Sequence, residues 1–381
     1  MKLRLRNITL LLTVLLVGVL WSGVYAQSEE PRPASNDAQK VQEAEEKFDV
    51  VGLIFDHISD AYSWHIATYK GHHIEIPLPC IVRSRTEGWE VFLSSRLAHG
   101  HSYKGFSIAP EGAEWEGKIV AVGEDGEVYR PIDLSITKNA AGVIINSLIL
   151  LVVILGCARW YRKREGDIYA VPKGFVGAVE MLIVSLVDDV IRPSVGKDYK
   201  RYAPYLLTAF FFIFINNLMG LVPTFPGGAN TTGNIAITLI LALATMFAVN
   251  VFGNKEYWKE ILWPDVPIWM KCPIPLMPVI ELFGIISKPF ALTIRLFANT
   301  LAGHMVILAL TSLVFVSATM GTTMNIVMTI FSVLLTVFML VLEILVAYIQ
   351  AYVFTMLSSV FVGLSRKDHH EARKEKTKQS E

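Results

Sequence analysis

Arg295 lies inside the apolar run KPFALTIRLFANTLAGHMVILALTSLVFV, which also carries Asn299 and His304. A guanidinium keeps its proton at any physiological pH. At the centre of a bilayer helix such a charge costs about 2.5–3.5 kcal/mol on insertion scales, so it faces a partner or water rather than lipid. These residues therefore point to a polar path through a membrane. Asn299 follows Arg295 by four residues and shares its helix face. His304 follows by nine, close to the opposite face and about 13 Å further along the axis.

A second apolar run carries Glu343 and Gln350, seven residues apart and nearly on one face, with about 10 Å between them in depth. An antiparallel pairing of the two runs puts Gln350 at the level of Arg295 and Glu343 at the level of His304. Histidine and glutamate change protonation in an accessible pH range when their surroundings shift them, so such a pair can relay protons. Arginine cannot. It is a fixed charge that repels cations and attracts a carboxylate on a neighbouring protein, and glutamine can hydrogen-bond it in place. Structural roles compete with this reading. Single amides in membrane helices commonly join helices, which suits Asn216, Asn217 and Asn234, and Arg295 with Glu343 can form an ion pair. Taken together, Arg295, His304, Glu343 and Gln350 favour function, because intramembrane charges are functional by default. Lys288 and Glu281 share the Arg295 face nearer one helix end, where Lys288 is expected to snorkel to the interface.

The elements that must hold these side chains are membrane helices. The chain has 381 residues, 53% of them hydrophobic, with a mean hydropathy of +0.46. Its 34 Lys and Arg balance 34 Asp and Glu, which implies no nucleic-acid partner. Apolar spans are expected at 142–161, 205–225, 234–252, about 279–316 and about 325–364. The last two approach forty residues, about 60 Å of helix against a hydrocarbon core of about 30 Å, so they must tilt, bend or break, with Pro289 a candidate kink. The expected fold class is a polytopic α-helical membrane protein of about five transmembrane helices, the last two very long and tilted, plus a small extracytoplasmic β-rich N-terminal domain.

Residues 1–26 read as a signal peptide, with Lys2, Arg4 and Arg6 before an apolar core and Val24-Tyr25-Ala26 as cleavage site. A flexible linker follows over 27–47. Residues 48–138 form the β-rich domain, in which HHIEIPLPCIV, WEVFLS, GKIVAV and VYRPIDLSI are strand-like runs. The membrane domain covers 139–365 and a basic cytoplasmic tail 366–381. Lys and Arg crowd the two loops on one side and the tail, while PGGANTTG and ATMGTTM on the other side carry no charge. The positive-inside rule then places the β domain outside and the C-terminus in the cytoplasm. Phe175, Val179, Leu182, Ile183, Leu186 and Val190 recur at helical spacing and suggest an amphipathic helix on the cytoplasmic membrane surface.

Cys80, Cys157 and Cys272 cannot build a disulfide framework. His57, His65, His72, His73, His99 and His101 crowd the outer domain, but their spacings match no zinc motif, and a solvated or hydrogen-bonded role is expected. On a strand, His99 and His101 would share a face. No metal or other cofactor is expected.

The string LTIRLFANTLAGH, with FINNLMGLVP and PKGFVGAVEMLIVSLVDDVIRPSVGKDYKRYAP, resembles subunit a of the F-type ATP synthase, the stator subunit of its membrane sector. The resemblance covers about residues 140–365. It implies that Arg295 is the arginine facing the rotating ring of c subunits, with Asn299 the polar residue beside it. By the same resemblance Gln350 is the last-helix glutamine packed near that arginine, and Asn217 belongs to the proton path. His304 and Glu343 match a position pair at which familiar bacterial members carry Glu and then His. The types are exchanged here, as in mitochondrial members. The implied partners are the c-ring, the peripheral-stalk b subunits and the lipid bilayer of the cell inner (plasma) membrane. The implied role is proton translocation through two half-channels, coupled to ATP synthesis. The subunit itself catalyses nothing, and the chain contains no GxxxxGK[ST] phosphate loop. A stand-alone ion or solute transporter, with Arg295 binding an anion, is the alternative.

Overall fold

A computed structural model describes residues 59–366 except 70–71, 86–87, 111, 124–125, 165–170, 223–224, 252, 263–275 and 319–320. The expected signal peptide and linker, and all of the expected tail beyond Arg366, lie outside the described residues.

Short β-branched and aromatic runs between glycine turns give eight strands among the described residues. β1 (Ser63–Tyr69) pairs antiparallel with β2 (His72–Pro77), with an irregularity between His65 and Ala67. β3 (Pro79–Arg83) lies between β4 (Trp89–Leu93) and β8 (Ile132–Asp133). β6 (Ile119–Val122) lies between β5 (Phe106–Ile108) and β7 (Val128–Tyr129). Strand alternation sets the core: Cys80 and Val82 of β3 point inward onto Phe92, Leu97, Phe106, Ile119 and Ala121. The Tyr62 hydroxyl closes this core by donating to Asp133 Oδ2 at 2.5 Å. Burial, then the Asp133 carboxylate, hold its phenol well above the ordinary range. Burial likewise pushes the Cys80 thiol up to about 11.

Each of the four expected strand-like runs contains at least one strand, and HHIEIPLPCIV and VYRPIDLSI each contain two. β1 and β5 were not among them. His99 and His101 do not lie on a strand: a 3-10 turn at Ala98–Gly100 holds His99, and His101 follows it in extended backbone. Among the described residues, no three His, Cys, Asp or Glu side chains converge to hold a metal.

The second half is helical: α1 (Lys138–Arg162), α2 (Phe175–Ser185), a π-helical segment (Leu186–Ile191), α3 (Arg192–Val195), α4 (Tyr199–Gly220), α5 (Ile235–Val251), α6 (Lys255–Leu262), α7 (Leu276–Ala318) and α8 (Thr322–Arg366). The five expected spans each overlap a helix, α1, α4, α5, α7 and α8, with α4 at Tyr199–Gly220 ending short of the expected residue 225. Among the described residues, three helices are long and apolar enough to cross a membrane: Lys138–Arg162, Val279–Ala318 and Thr322–Ser365. α5 is apolar but has 17 residues. α7 runs on as helix through Pro289, whose carbonyl accepts the Thr293 hydroxyl at 2.9 Å.

The chain divides into two compact units. One holds the described residues to Ile145 with Met219–Ala229 and Gly303–Leu342; the other holds Asn146–Leu218, Asn230–Ala302 and the chain from Glu343. In the first, Trp64 and Leu78 of the β domain pack with Ala141 of α1 and with Ala229, and the Trp64 ring meets Phe225 edge-on at 5.3 Å. In the second, Val179, Leu186 and Val190 are buried against Cys157, Ala209, Phe210, Phe211, Leu292, Leu296, Ala351 and Phe354. The expected amphipathic helix therefore forms, but its apolar stripe is built into a protein core. Phe175 is its exception and is exposed. α8 approaches the α3 turn so closely at Gly363 that any Cβ there would overlap the Ser194 carbonyl oxygen.

Candidate functional site

α7 sorts its residues by face. Leu292, Thr293, Leu296 and Thr300 are buried, while Ala291, Ile294, Arg295, Ala298, Asn299 and Ala302 are exposed. The intervals of three and four make the exposed set one stripe. Arg295 thus stands in a row of alanines on an uncovered face, and Asn299 lies one turn on. No ion pair or hydrogen bond of Arg295 occurs among the described residues. The three alanines are part of the site that spacing alone offered and the reading of polar residues passed over. Small side chains let a neighbouring helix come close.

Gln350 is carried by α8, whose buried face includes Glu343, Ala347, Gln350, Ala351 and Phe354. Leu292 and Leu296, which flank Arg295, share one core with Ala351 and Phe354, which follow Gln350. Among the described residues no hydrogen bond joins Arg295 and Gln350. Glu343, two turns before Gln350, is 8% exposed and its Oε2 has no hydrogen-bond partner. An unpartnered carboxyl oxygen buried in a helix bundle is costly, and such atoms persist where a site uses them.

Asn216 and Asn217 end α4 in a different polar network. Asn216 Oδ1 accepts from Asn146 Nδ2 of α1 at 3.0 Å and from the Thr231 hydroxyl at 2.9 Å. The Thr232 hydroxyl donates to Asn217 Oδ1. Asn216 therefore joins helices, as expected of a membrane amide. Asn234 does not: its Oδ1 accepts the Ala236 amide at 3.0 Å and caps α5. The loop around Thr231 and Thr232, expected to be an uncharged outer loop, is buried with its hydroxyls turned inward. Nothing in its string of small polar residues announced that.

His304 belongs to the other compact unit, where α7 meets the end of α4. A Cβ on Gly220 would stand 3.3 Å from His304 Nε2 and 3.6 Å from the Ala229 carbonyl oxygen. The imidazole is thus seated against bare backbone. Lys288, expected at the interface, is exposed, with its ammonium 5.5 Å from the centre of the Phe361 ring.

Comparison with known proteins separates the β-rich part of the chain from the helical part. Residues 143–363 match the family model described as ATP synthase A chain, and residues 53–139 match a domain of unknown function (DUF8433). The ATP synthase subunit a of Pelodictyon phaeoclathratiforme is 40% identical over 255 residues, which cover 63% of this chain and 70% of that protein. The ATP synthase subunit a 2 of Chlorobaculum tepidum is 37% identical over 258 residues, covering 63% and 67%. The ATP synthase subunit a of Anaeromyxobacter dehalogenans is 34% identical over 328 residues, covering 82% and 77%. The last alignment takes in so much of the chain that it must reach well upstream of residue 143.

Proposed function

The chain belongs to the ATP synthase A chain family, as a multi-pass membrane-sector subunit, and we propose that it is the proton-translocating stator against which a c-ring turns. The observation that carries this reading is the exposed stripe of α7, where a permanent cation is set among alanines with no carboxylate among the described residues to meet it. A charge so placed fits a carboxylate on another protein whose helices pass close by. Ring carboxylates are neutral while they face lipid, since an unpaired charge there is expensive. Each ionises into one half-channel, passes Arg295 as an anion, and is reprotonated from the other.

In this mechanism Arg295 blocks a direct leak and attracts the ionised carboxylate, while Gln350 and Asn299 hold its surroundings polar. His304 and Glu343 pass protons on the outer side, and Asn217 lines the polar route. Each proton crossing 100 mV releases about 2.3 kcal/mol to drive rotation. Five helices cross the cell inner membrane, with the β domain extracytoplasmic, the C-terminus cytoplasmic and the peripheral-stalk b subunits alongside. Nucleotide chemistry belongs to other subunits.

Arg295→Ala is expected to abolish proton-driven ATP synthesis in inverted vesicles that still hold the assembled complex. Retained synthesis overturns the proposal. A cysteine at Ala298 is expected to cross-link to the ring, which a stand-alone transporter would not do.

A further inference from the structure

The β domain does not hang from the membrane helices by a loose linker. Leu134 donates its amide to the Ile81 carbonyl at 2.9 Å and Ile136 to Pro79 at 3.0 Å, so strand pairing continues to the threshold of α1. The first turn of α1 is then clamped from the same domain. The Lys138 amide donates to the Ala61 carbonyl at 2.8 Å, and the Asn139 amide to Asp60 Oδ1 at 3.0 Å. One turn on, Ala141 packs with Trp64 and Leu78. All of these residues belong to one compact unit. The chain from Leu134 to the start of α1 at Lys138 can span at most about 14 Å.

The sheet β4-β3-β8, fixed in this way, has two different faces. Cys80, Val82 and Phe92 turn one of them into the domain core. The other is apolar and uncovered. Strand pairing sets its side chains in cross-strand rows, Trp89–Arg83–Ile132 and then Val91–Ile81–Leu134. Trp89, Val91, Ile132 and Leu134 are each more than half exposed. The next residue along this face, Ile136, packs with Ala141, so the face runs on to the base of α1. Its one charge is Arg83, whose guanidinium carbon lies 5.9 Å from the centre of the Trp89 ring. No carboxylate shares it, because Glu90 and Asp133 pair with Val82 and alternate to the other side. A contiguous apolar face of this kind marks an interaction surface.

Resting only on α1 crossing the membrane, we propose that this sheet face docks on the lipid surface where α1 enters the bilayer, with Arg83 on lipid phosphates. The short tether keeps the face near that surface, and the clamp on α1 keeps it from swinging away. A lone cation among apolar side chains complements anionic headgroups. Trp89 beside Arg83 suits the interface for the same reason: each has an apolar body and a polar end. The bilayer thereby removes from water an apolar face that the domain itself leaves open.

The test places the photo-cross-linker p-benzoylphenylalanine at Val91, and separately at Leu134, of the full chain in its assembled complex. The complex is reconstituted in vesicles of phosphatidylethanolamine and phosphatidylglycerol, and adducts are identified by mass spectrometry. Phospholipid adducts are expected at both positions, as at the exposed Ile144 of α1, and not at the exposed Glu114 between β5 and β6. Adducts to a second copy or to another subunit in place of lipid overturn the proposal. Absence of any adduct at both positions does so too, since water then covers the face, and so does an equal lipid yield at Glu114. Arg83→Glu is expected to lower the lipid yield at Val91 by about fivefold, and an unchanged yield overturns the headgroup contact. Cross-linking needs no ATP synthesis, so its failure is distinguishable from retained synthesis in Arg295→Ala.

Discussion

Asn146 donates its side-chain amide to Asn216 Oδ1 at 3.0 Å, tying α1 to α4 through a pair of buried amides. The same oxygen receives Thr231, so the bond belongs to a three-element junction. Asn146→Ala removes one donor while Thr231 still satisfies the acceptor. Stability is expected to fall by about 0.5–1.5 kcal/mol. A double-mutant cycle with Asn216→Ala should return a coupling of about 0.6 kcal/mol, the usual size for polar pairs in membrane bundles. Denaturation of the purified protein in mixed micelles checks this, and strict additivity contradicts it.

Gly220 offers His304 a surface of bare backbone. An alanine methyl there would lie 3.3 Å from Nε2, so the imidazole must shift by a few tenths of an ångström. Misplacement of a proton-transfer group is costly even at sub-ångström scale. Gly220→Ala is expected to slow ATP-driven proton pumping by up to about tenfold, with assembly intact. Pumping at the parent rate would show that the seat of His304 is immaterial.

Gly363 is a packing position. Its missing Cβ makes room for the Ser194 carbonyl oxygen, which is backbone and cannot rotate away. Gly363→Ala must push α8 off α3, an overpacking expected to cost about 1–3 kcal/mol. A lowered thermal midpoint and less assembled subunit in the membrane are the expected readouts; unchanged values of both would exclude the close approach.

Cys80 is fully buried and its thiol is raised from an ordinary 9.0 to about 11. The folded thiol therefore holds its proton more tightly than the unfolded one. Its contribution to stability is full below about pH 9 and drains away as pH rises toward about 11. Tyr62, also raised, acts in the same direction from a higher starting value. Unfolding of the whole chain followed from pH 8 to 11 should show a shallower loss in Cys80→Ala than in the parent. Thiol reagents should find Cys80 only after unfolding.

The legible parts of this molecule are those written in runs and intervals. Apolar length gave the positions of α1, α4, α5, α7 and α8, and the interval from Arg295 to Asn299 gave a shared face. β1 escaped because its alternation breaks between His65 and Ala67, and β5 because three residues carry too little pattern. The stripe of Ala291, Ala298 and Ala302 was present as spacing, but attention to polar residues masks small apolar ones. The burial of Thr231 and Thr232 was not legible at all. It depends on Asn216 and Asn217 near the end of α4, which accept the two hydroxyls, and a loop of small polar residues reads as solvated until those partners are placed. The inward stripe from Val179 to Val190 shows a related limit. Periodicity reports that a helix has an apolar side, but not whether lipid or protein covers it.

The paired strands that run into α1 bear on how this protein can be cut and recombined. The two matched families meet between residues 139 and 143, which looks like a natural seam. The hydrogen bonds disagree: a truncation there would strip the first helical turn of Asp60, and a graft would leave Ala141 and Ala229 facing a foreign surface. A workable chimera would inherit residues 60–145 together with the segment that carries Ala229, and place its first joint upstream of Asp60.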